Sequence, residues 1–582
     1  MSNDRGARVL RLSMATTMAA WLIAIGALLF WAQFRSFDLL DGGYYFLSYQ
    51  YPWESSDHNT YFQYVARPIW LLCGRNVIAF RITTLISVAG ATWVFYTSLR
   101  KRFPQASDPV ASGALLLWAL AAVTSVSVAL TYNSLATIFQ LLGIALLLRA
   151  PKPGAGMRHR ARCIAWVAAL LADILATAAV KPPAGLALAA AAFLAIFLGY
   201  RREEIDAGVR RVACELALVA SILAIVAIGL LVARPATGIT IGGLVITSEW
   251  IESVARQYAR GLAALGPRLA SDGLWIAFPA GFIAAVRLAR NSNPQAWRRS
   301  TAAAAAITGA LIIYLTIRRH YWDSSFQDIL QAGPFRFFAL ECIFTISLLI
   351  GTGMGACQIT WIAIFIVLPL VSSFGTTNTI FVSSLHEAVL FAAAIILAFS
   401  AACSRLRAHW LRLLANLTLS ATASAAIVSG AVLRPYMFQP SLFKQTAELE
   451  VGSPSTTLRV APQLAGFVNS VHATLESAGF RPGDDVLGFF NLPGLIFAVG
   501  GCEPGAPWYF GTWYHGDDTD GSKLRRVSPG RLKRAWVLTQ ADVTGFKQRF
   551  EECGIDFPDG YRNIGSARNP TTGLEVEIWK PK

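Results

Sequence analysis

The segment Asp38-Leu39-Leu40-Asp41-Gly42-Gly43-Tyr44-Tyr45 sets two acids close together, immediately ahead of paired aromatics. Farther along the same polar stretch stand Glu54, Asp57, His58, Arg67 and Arg75, interleaved with Tyr49, Tyr51, Trp53 and Tyr61. A carboxylate can take the proton of a weak hydroxyl nucleophile as a bond forms, and aromatic faces make platforms for a sugar. The same residue types also suit a solvated loop with an aromatic belt at a membrane interface. Gly42 and Gly43 permit a close approach of backbone to a neighbour.

Cations stand in two other places. Lys181 is followed at once by Pro182 and Pro183, which break a helix. A positive charge at such a break suits a lipid phosphate, and it also suits a side chain that snorkels to the interface. Arg318, Arg319 and His320 form a second cluster, able to clamp a phosphate or pyrophosphate or to meet an anionic headgroup. Asp173, deeper in an apolar run, requires a partner or a cavity, because mid-membrane acids are costly. The run Gly375–Asn378, with His386 and Glu387 after it, could bind sugar hydroxyls or cap the next helix. No Walker loop, His-Glu-x-x-His, Cys/His metal spacing or Gly-x-Ser-x-Gly elbow is visible. No cofactor follows from the sequence, and a divalent metal is left open. Of the eight cysteines, Cys502 and Cys553 alone lie in the polar C-terminal region. A disulfide between them and two free thiols are both compatible with their spacing.

The elements that must carry these residues are mostly membrane helices. The chain has 582 residues, 55% of them hydrophobic and 14% charged, against about 25% charged in soluble domains. Its formal charge of +16 does not mark a nucleic-acid partner, because the arginines fall in short segments between apolar runs. With the N-terminus inside, the basic segments 99–103, 149–162, 287–299 and 404–412 all fall on the inner side, the usual orientation signal. The first apolar run, 15–34, is long and lacks a clear cleavage site, so it reads as a retained helix. The requirement of about 20 apolar residues per span gives about thirteen helices. Their expected centres are Ile25, Ser87, Leu120, Leu141, Leu171, Ala191, Ile222, Ala280, Gly309, Thr345, Ile364, Ala393 and Thr418.

The fold class expected is therefore a polytopic α-helical membrane protein with a C-terminal α/β soluble domain. The membrane domain covers 1–433, with outside loops 35–76, 233–272, 318–335 and 372–387, and the outer domain covers 434–582. Within the latter, 464–480 and 542–554 read as helices, the second stopped at Gly554, and 485–490, 494–501, 534–539 and 574–579 read as strands.

The stretch from Asp41 through Arg67-Pro68 and Arg81 to Phe103 resembles the opening of GT-C glycosyltransferases. It is most similar to the polyprenyl-phosphate-sugar transferases related to protein O-mannosyltransferases and lipid A aminoarabinose transferases. The segment 131–150 resembles the fourth helix of that group, with Asn133 where an acid is common, and 179–188 resembles its lysine-containing turn. The pattern usually carries Asp-Glu where this chain has Asp41-Gly42, so a second acid would have to be Asp38, Glu54 or Asp57. The resemblance implies inverting transfer of a sugar from a polyprenyl-phosphate donor to a glycan, lipid or protein acceptor. The reaction would lie on the outer face of a bacterial cytoplasmic (inner) membrane, with the C-terminal domain periplasmic or extracellular. It implies Asp41 as catalytic base, Lys181, Arg318, Arg319 and His320 as donor-phosphate ligands, and Tyr44, Tyr45, Arg67 and Asn133 as substrate-binding residues. A lipid-linked-glycan transporter or flippase, and a glycan ligase or polymerase, are the rival readings. The partners expected are the lipid-linked sugar, its acceptor and membrane lipids, without nucleic acid.

Overall fold

The computed structural model describes residues 2–54, 60–124, 128–200, 206–211, 355–373, 383–406, 409–435, 440–489, 492–505, 527–540, 550–551 and 553–582, with isolated stretches at 239–241, 244–246, 255–256, 259 and 524. The chain divides into two units. One comprises 1–26, 86–123 and 132–429, and the other comprises 27–85, 124–131 and 430–582.

Apolar helices dominate the described residues up to 435. They are α1 (Ser2–Ala32), α4 (Val77–Arg102), α5 (Pro109–Thr124), α6 (Tyr132–Leu148), α7 (Met157–Val180), α8 (Pro182–Phe197), α9 (Ala356–Ser372), α10 (Ala388–Leu406) and α11 (His409–Ile427). The polar segment after α1 folds into two short helices, α2 (Asp41–Gln50) and α3 (Phe62–Leu72). Among the described residues, four stretches are long and apolar enough to cross a membrane, namely Leu12–Ala32, Val77–Arg102, Met157–Val180 and Ala415–Leu433. The last continues α11 through a wider π turn, Val428–Leu433. With the shorter apolar helices beside them, they make this a helical integral membrane protein. Nine of the thirteen expected centres fall within these helices; Ile222, Ala280, Gly309 and Thr345 lie outside the described residues.

Within the first unit, helices pack through small residues, as membrane helices must when lipid supplies no hydrophobic drive. Gly113 lies against Met18, Gly143 lies against Asp173 and Leu188, and Gly185 against the backbone of Ala178. Lys181 is the single extended residue between α7 and α8 (φ −150°, ψ 95°), the conformation imposed on a residue that precedes proline. Two short strands, β1 (Ile239–Ile241) and β2 (Leu244–Ile246), form an antiparallel hairpin in this unit.

The second unit joins the end of α1, the α2–α3 segment and the C-terminal region. β3 (Ala447–Val451) and β4 (Thr456–Val460) form an antiparallel hairpin. α12 (Pro462–Ser477) follows, then β5 (Val486–Phe489), α13 (Pro493–Ala498), β6 (Trp536–Gln540), β7 (Tyr561–Arg568) and β8 (Glu575–Pro581). The four-stranded sheet has the order β5-β6-β8-β7, parallel between β5 and β6 and antiparallel elsewhere. Leu487, Phe489, Val537, Phe550, Ile555 and Tyr561 fill its core.

The α/β class and three of the four expected strands are present. The fourth, 494–501, is instead the helix α13. Pro493 opens it at the first helical turn, where a missing N–H costs nothing, and Gly494 lets its backbone reach the chain before α2. Of the helix expected at 542–554, residues 550–551 are helical and Gly554 has φ +75°; 541–549 and 552 lie outside the described residues. Cys502 and Cys553 are both buried, and no disulfide joins the two. Cys502 pairs by backbone with Asp485 beside Arg531, whereas Cys553 belongs to the sheet's hydrophobic core.

Gly494 donates its backbone N–H to Leu39 O at 2.8 Å, and a Cβ at Gly43 would overlap the Gly494 backbone. This contact ties α2 to α13. Gly494→Ala should therefore destabilise the fold by about 1–3 kcal/mol, the usual cost of forcing extra volume into a packed site. Gly466→Ala, in open space on α12, should be neutral or slightly stabilising. Thermal unfolding of the two variants in detergent measures the contrast.

Candidate active site

The acids ahead of α2 are positioned from three sides. Asp38 is buried, and its Oδ1 and Oδ2 accept the backbone N–H groups of Leu40 and Gly42, both at 2.8 Å. Its own carbonyl accepts Gly43 N–H at 3.2 Å. These bonds satisfy donors that a helix start leaves open, so Asp38 nucleates α2 and Asp41 falls in its first turn. Arg81 on α4 then holds the incoming chain. Its guanidinium donates to the carbonyls of Gln33 (3.1 Å), Arg35 (2.9 Å) and Ser36 (3.0 Å). From the C-terminal side, Arg459 exchanges backbone bonds with Phe34 and Ser36 at 2.9 Å each.

Asp38 and Asp41 thus stand together at the start of one helix, close enough for the charge of Asp41 to act on Asp38. Burial, and then the charge of Asp41, push the Asp38 carboxyl up from 3.8 to about 7, against the opposing pull of its backbone bonds and of Arg81. Two carboxyls in one site resist double ionisation. Asp38 already receives two N–H groups and the field of Arg81, a donor set that does not fit a divalent cation. A cavity of about 60 Å³ lined by Gln33, Arg35, Ser36, Asp38, Arg81 and Thr124 lies beside the pair, with room for a water or two.

Glu54 is committed elsewhere. It pairs with Arg531 at 2.5 Å, and Arg531 also grips both oxygens of Asp485. Asp57 lies outside the described residues, as do Arg318, Arg319, His320 and the run Gly375–Asn378.

The aromatics are packed rather than spread over a surface. Tyr44 and Tyr45 are each 4% exposed; their rings lie 5.1 Å apart, and both lie against Phe62. Phe46, Tyr49, Trp70, Phe80 and Phe497 extend the cluster, and Tyr49 donates its hydroxyl to Leu130 O at 2.8 Å. Arg67 donates to the carbonyls of Tyr49 (3.1 Å) and Gln50 (3.0 Å), the last turn of α2. A cation belongs there, as an acid belongs at the other end, because the helix dipole favours each.

The first unit holds a separate polar cluster. Lys181, 4% exposed, donates to Asn133 Oδ1 at 2.8 Å, and the buried Glu387 carboxylate acts on it electrostatically. With its amide nitrogen turned to the acid, Gln140 donates to Glu387 at 2.9 and 3.2 Å and accepts Ser372 Oγ at 2.6 Å. Thr137 Oγ1 donates to His386 O at 2.9 Å. Two expected site residues, Lys181 and Asn133, are therefore in direct contact. Gln140 escaped the sequence analysis, since a glutamine in an apolar run reads as a lone polar residue, and Glu387 was named there only as part of a turn that binds sugar hydroxyls or caps a helix. Asp173 packs against Gly143 of α6, and its Oδ2 has no hydrogen-bond partner among the described residues.

No protein-family model matches the sequence, and no curated protein does. Among solved structures, the chain is similar to ArnT from Cupriavidus metallidurans in the apo state, at 12% identity and a TM-score of 0.37, over 97% of this chain and 98% of that one. It is similar also to ArnT from Cupriavidus metallidurans bound to undecaprenyl phosphate, at 12% identity and a TM-score of 0.36, over 96% and 98% of the two chains.

Because the native state raises the Asp38 pKa, the folded protein binds more protons than the unfolded chain between 3.8 and about 7. Its contribution to stability is complete below that window and is lost as pH rises through about 7. Asp38→Asn should flatten the fall in thermal stability across this range; an unchanged slope would remove Asp38 as its source. For the second cluster, Lys181→Ala should cost about 1–3 kcal/mol by leaving Asn133 Oδ1 without its buried donor and Glu387 without its neighbouring cation. The double variant Lys181→Ala/Glu387→Gln should recover part of that loss, and a double-mutant cycle of unfolding midpoints reads the coupling.

Proposed function

We propose that this protein is a membrane glycosyltransferase that moves a sugar from a polyprenyl-phosphate donor to a hydroxyl acceptor, with inversion, at the outer face of the membrane. The observation that carries the reading is the Asp38/Asp41 pair, held at the start of α2 just after a membrane helix. The first-loop pattern that resembles GT-C enzymes supports it.

Asp41 is the base in this reading. It removes the acceptor proton as the acceptor oxygen attacks the anomeric carbon, and the sugar–phosphate bond breaks on the opposite face. The leaving phosphate needs no acid if cations hold its charge. Arg318 and Arg319 are assigned that part. Lys181 remains a candidate whose charge is already matched by Glu387. Asp38 fixes the N-terminus of α2 and so sets where Asp41 stands. Tyr44 and Tyr45 shape the wall next to the pair, and the C-terminal domain braces α2 through α13.

Asp41→Asn should lower transfer by about 10²–10⁴-fold, the usual worth of a positioned base, while the protein still inserts and keeps its unfolding midpoint. Turnover of a polyprenyl-phosphate sugar by the purified protein in detergent measures it. Consumption of donor in a single compartment also separates an enzyme from a transporter. Wild-type turnover by the Asn variant would remove Asp41 from the chemistry.

A further inference from the structure

Three ligand-type side chains converge in the first unit. His159 and Cys163 are four residues apart in the first turns of α7 and so lie on one helix face. Asp206 reaches them from a separate connection, one that the charge pattern sets on the same side of the membrane as the start of α7. The backbone N–H of Asp206 donates to Pro151 O at 3.3 Å. Its Oδ1 accepts the N–H groups of Gly208 (2.8 Å) and Val209 (3.4 Å), capping the turn that follows. Oδ2 is thereby turned toward His159 Nε2, 2.9 Å away. Cys163 Sγ lies 3.4 Å from the same nitrogen. All three ligand atoms fall within 4.8 Å of one another.

Protons serve this arrangement poorly. If Nε2 carries hydrogen, it donates to Asp206 and cannot accept from the thiol. If Nε2 is bare, it accepts from the thiol but faces a carboxylate lone pair. A cation satisfies all three at once, taking one lone pair from each.

We propose that His159, Cys163 and Asp206 form a binding site for a zinc-type divalent cation. A nitrogen, sulfur and oxygen set suits Zn²⁺ and disfavours the hard cations Mg²⁺ and Ca²⁺. The thiol must lose its proton to bind, so metal uptake releases one proton to solvent. Thiolate and carboxylate together then balance the charge of the ion. Water takes the fourth position, as in zinc sites with three protein ligands. The His159 and Asp206 side chains, 14% and 22% exposed, leave an ion a way in. The bound ion would fasten the 206–211 segment to α7.

The test uses the full chain in detergent, freed of metal by chelation and titrated with Co²⁺ as a coloured stand-in for zinc. The wild type should show a saturable thiolate-to-cobalt charge-transfer band in the near ultraviolet, which added Zn²⁺ removes. Cys163→Ser should abolish the band. His159→Ala and Asp206→Asn should each weaken binding by at least about tenfold, since loss even of outer-shell partners costs that much. A second measurement needs no variant. Zn²⁺ should slow alkylation of Cys163, followed by peptide mass spectrometry, while the half-buried thiols Cys73 and Cys357 react as before. A wild type without the band, a Cys163→Ser protein that keeps it, or alkylation of Cys163 indifferent to Zn²⁺ would overturn the site and leave a plain His159–Asp206 ion pair.

Discussion

The second unit turns on one buried carboxylate. Asp38 gives both oxygens to backbone N–H groups, of Leu40 and Gly42, and in doing so decides where α2 begins and where Asp41 stands. A buried carboxyl is tolerable only with such partners. Here the compensation is local and leaves Asp38 still inclined to keep its proton. Burial and the neighbouring charge of Asp41 together hold the Asp38 carboxyl above its ordinary range.

Holding that turn takes backbone from three distant parts of the chain. Arg81 closes on the carbonyls of Gln33, Arg35 and Ser36, Arg459 pairs with the same strand of chain, and Gly494 docks on Leu39. Phe497 on α13 packs against Phe37 and Phe46, so burial reinforces the hydrogen bonds. The C-terminal region is therefore part of the support for the acid pair, and 27–85 groups with 430–582 as one unit. In the first unit the same economy appears around Lys181. Its ammonium is buried against Asn133 with Glu387 as counter-charge, and the proline that follows fixes its extended backbone.

The chain's hydropathy determined much in advance. Runs of about 20 apolar residues placed nine helices that the described residues contain, because the cost of exposing a polar backbone to lipid leaves few alternatives. The α/β character of the C-terminal region and three of its strands followed from alternation and turn signals. Asp41 and Lys181 stood out because charged groups at membrane boundaries need reasons, and Asn133 stood out only through the family resemblance.

What the tertiary structure alone decided is which residue meets which. Glu54, Asp57 and Asp38 were equal candidates for the second acid; long-range contacts gave Glu54 to Arg531 and Asp38 to the turn before α2. The segment 494–501 has strand-like composition, yet α13 is a helix there, because a glycine at its first turn permits a backbone contact with Leu39 that no side chain would allow. Tyr44 and Tyr45 could have lain on an interface, and instead they are buried. His159, Cys163 and Asp206 carry no spacing motif, since the third ligand comes from a separate connection. Periodicity reports the environment of a residue, which is a local property of the chain. Pairing depends on how distant segments are brought together, and only the packed fold supplies that.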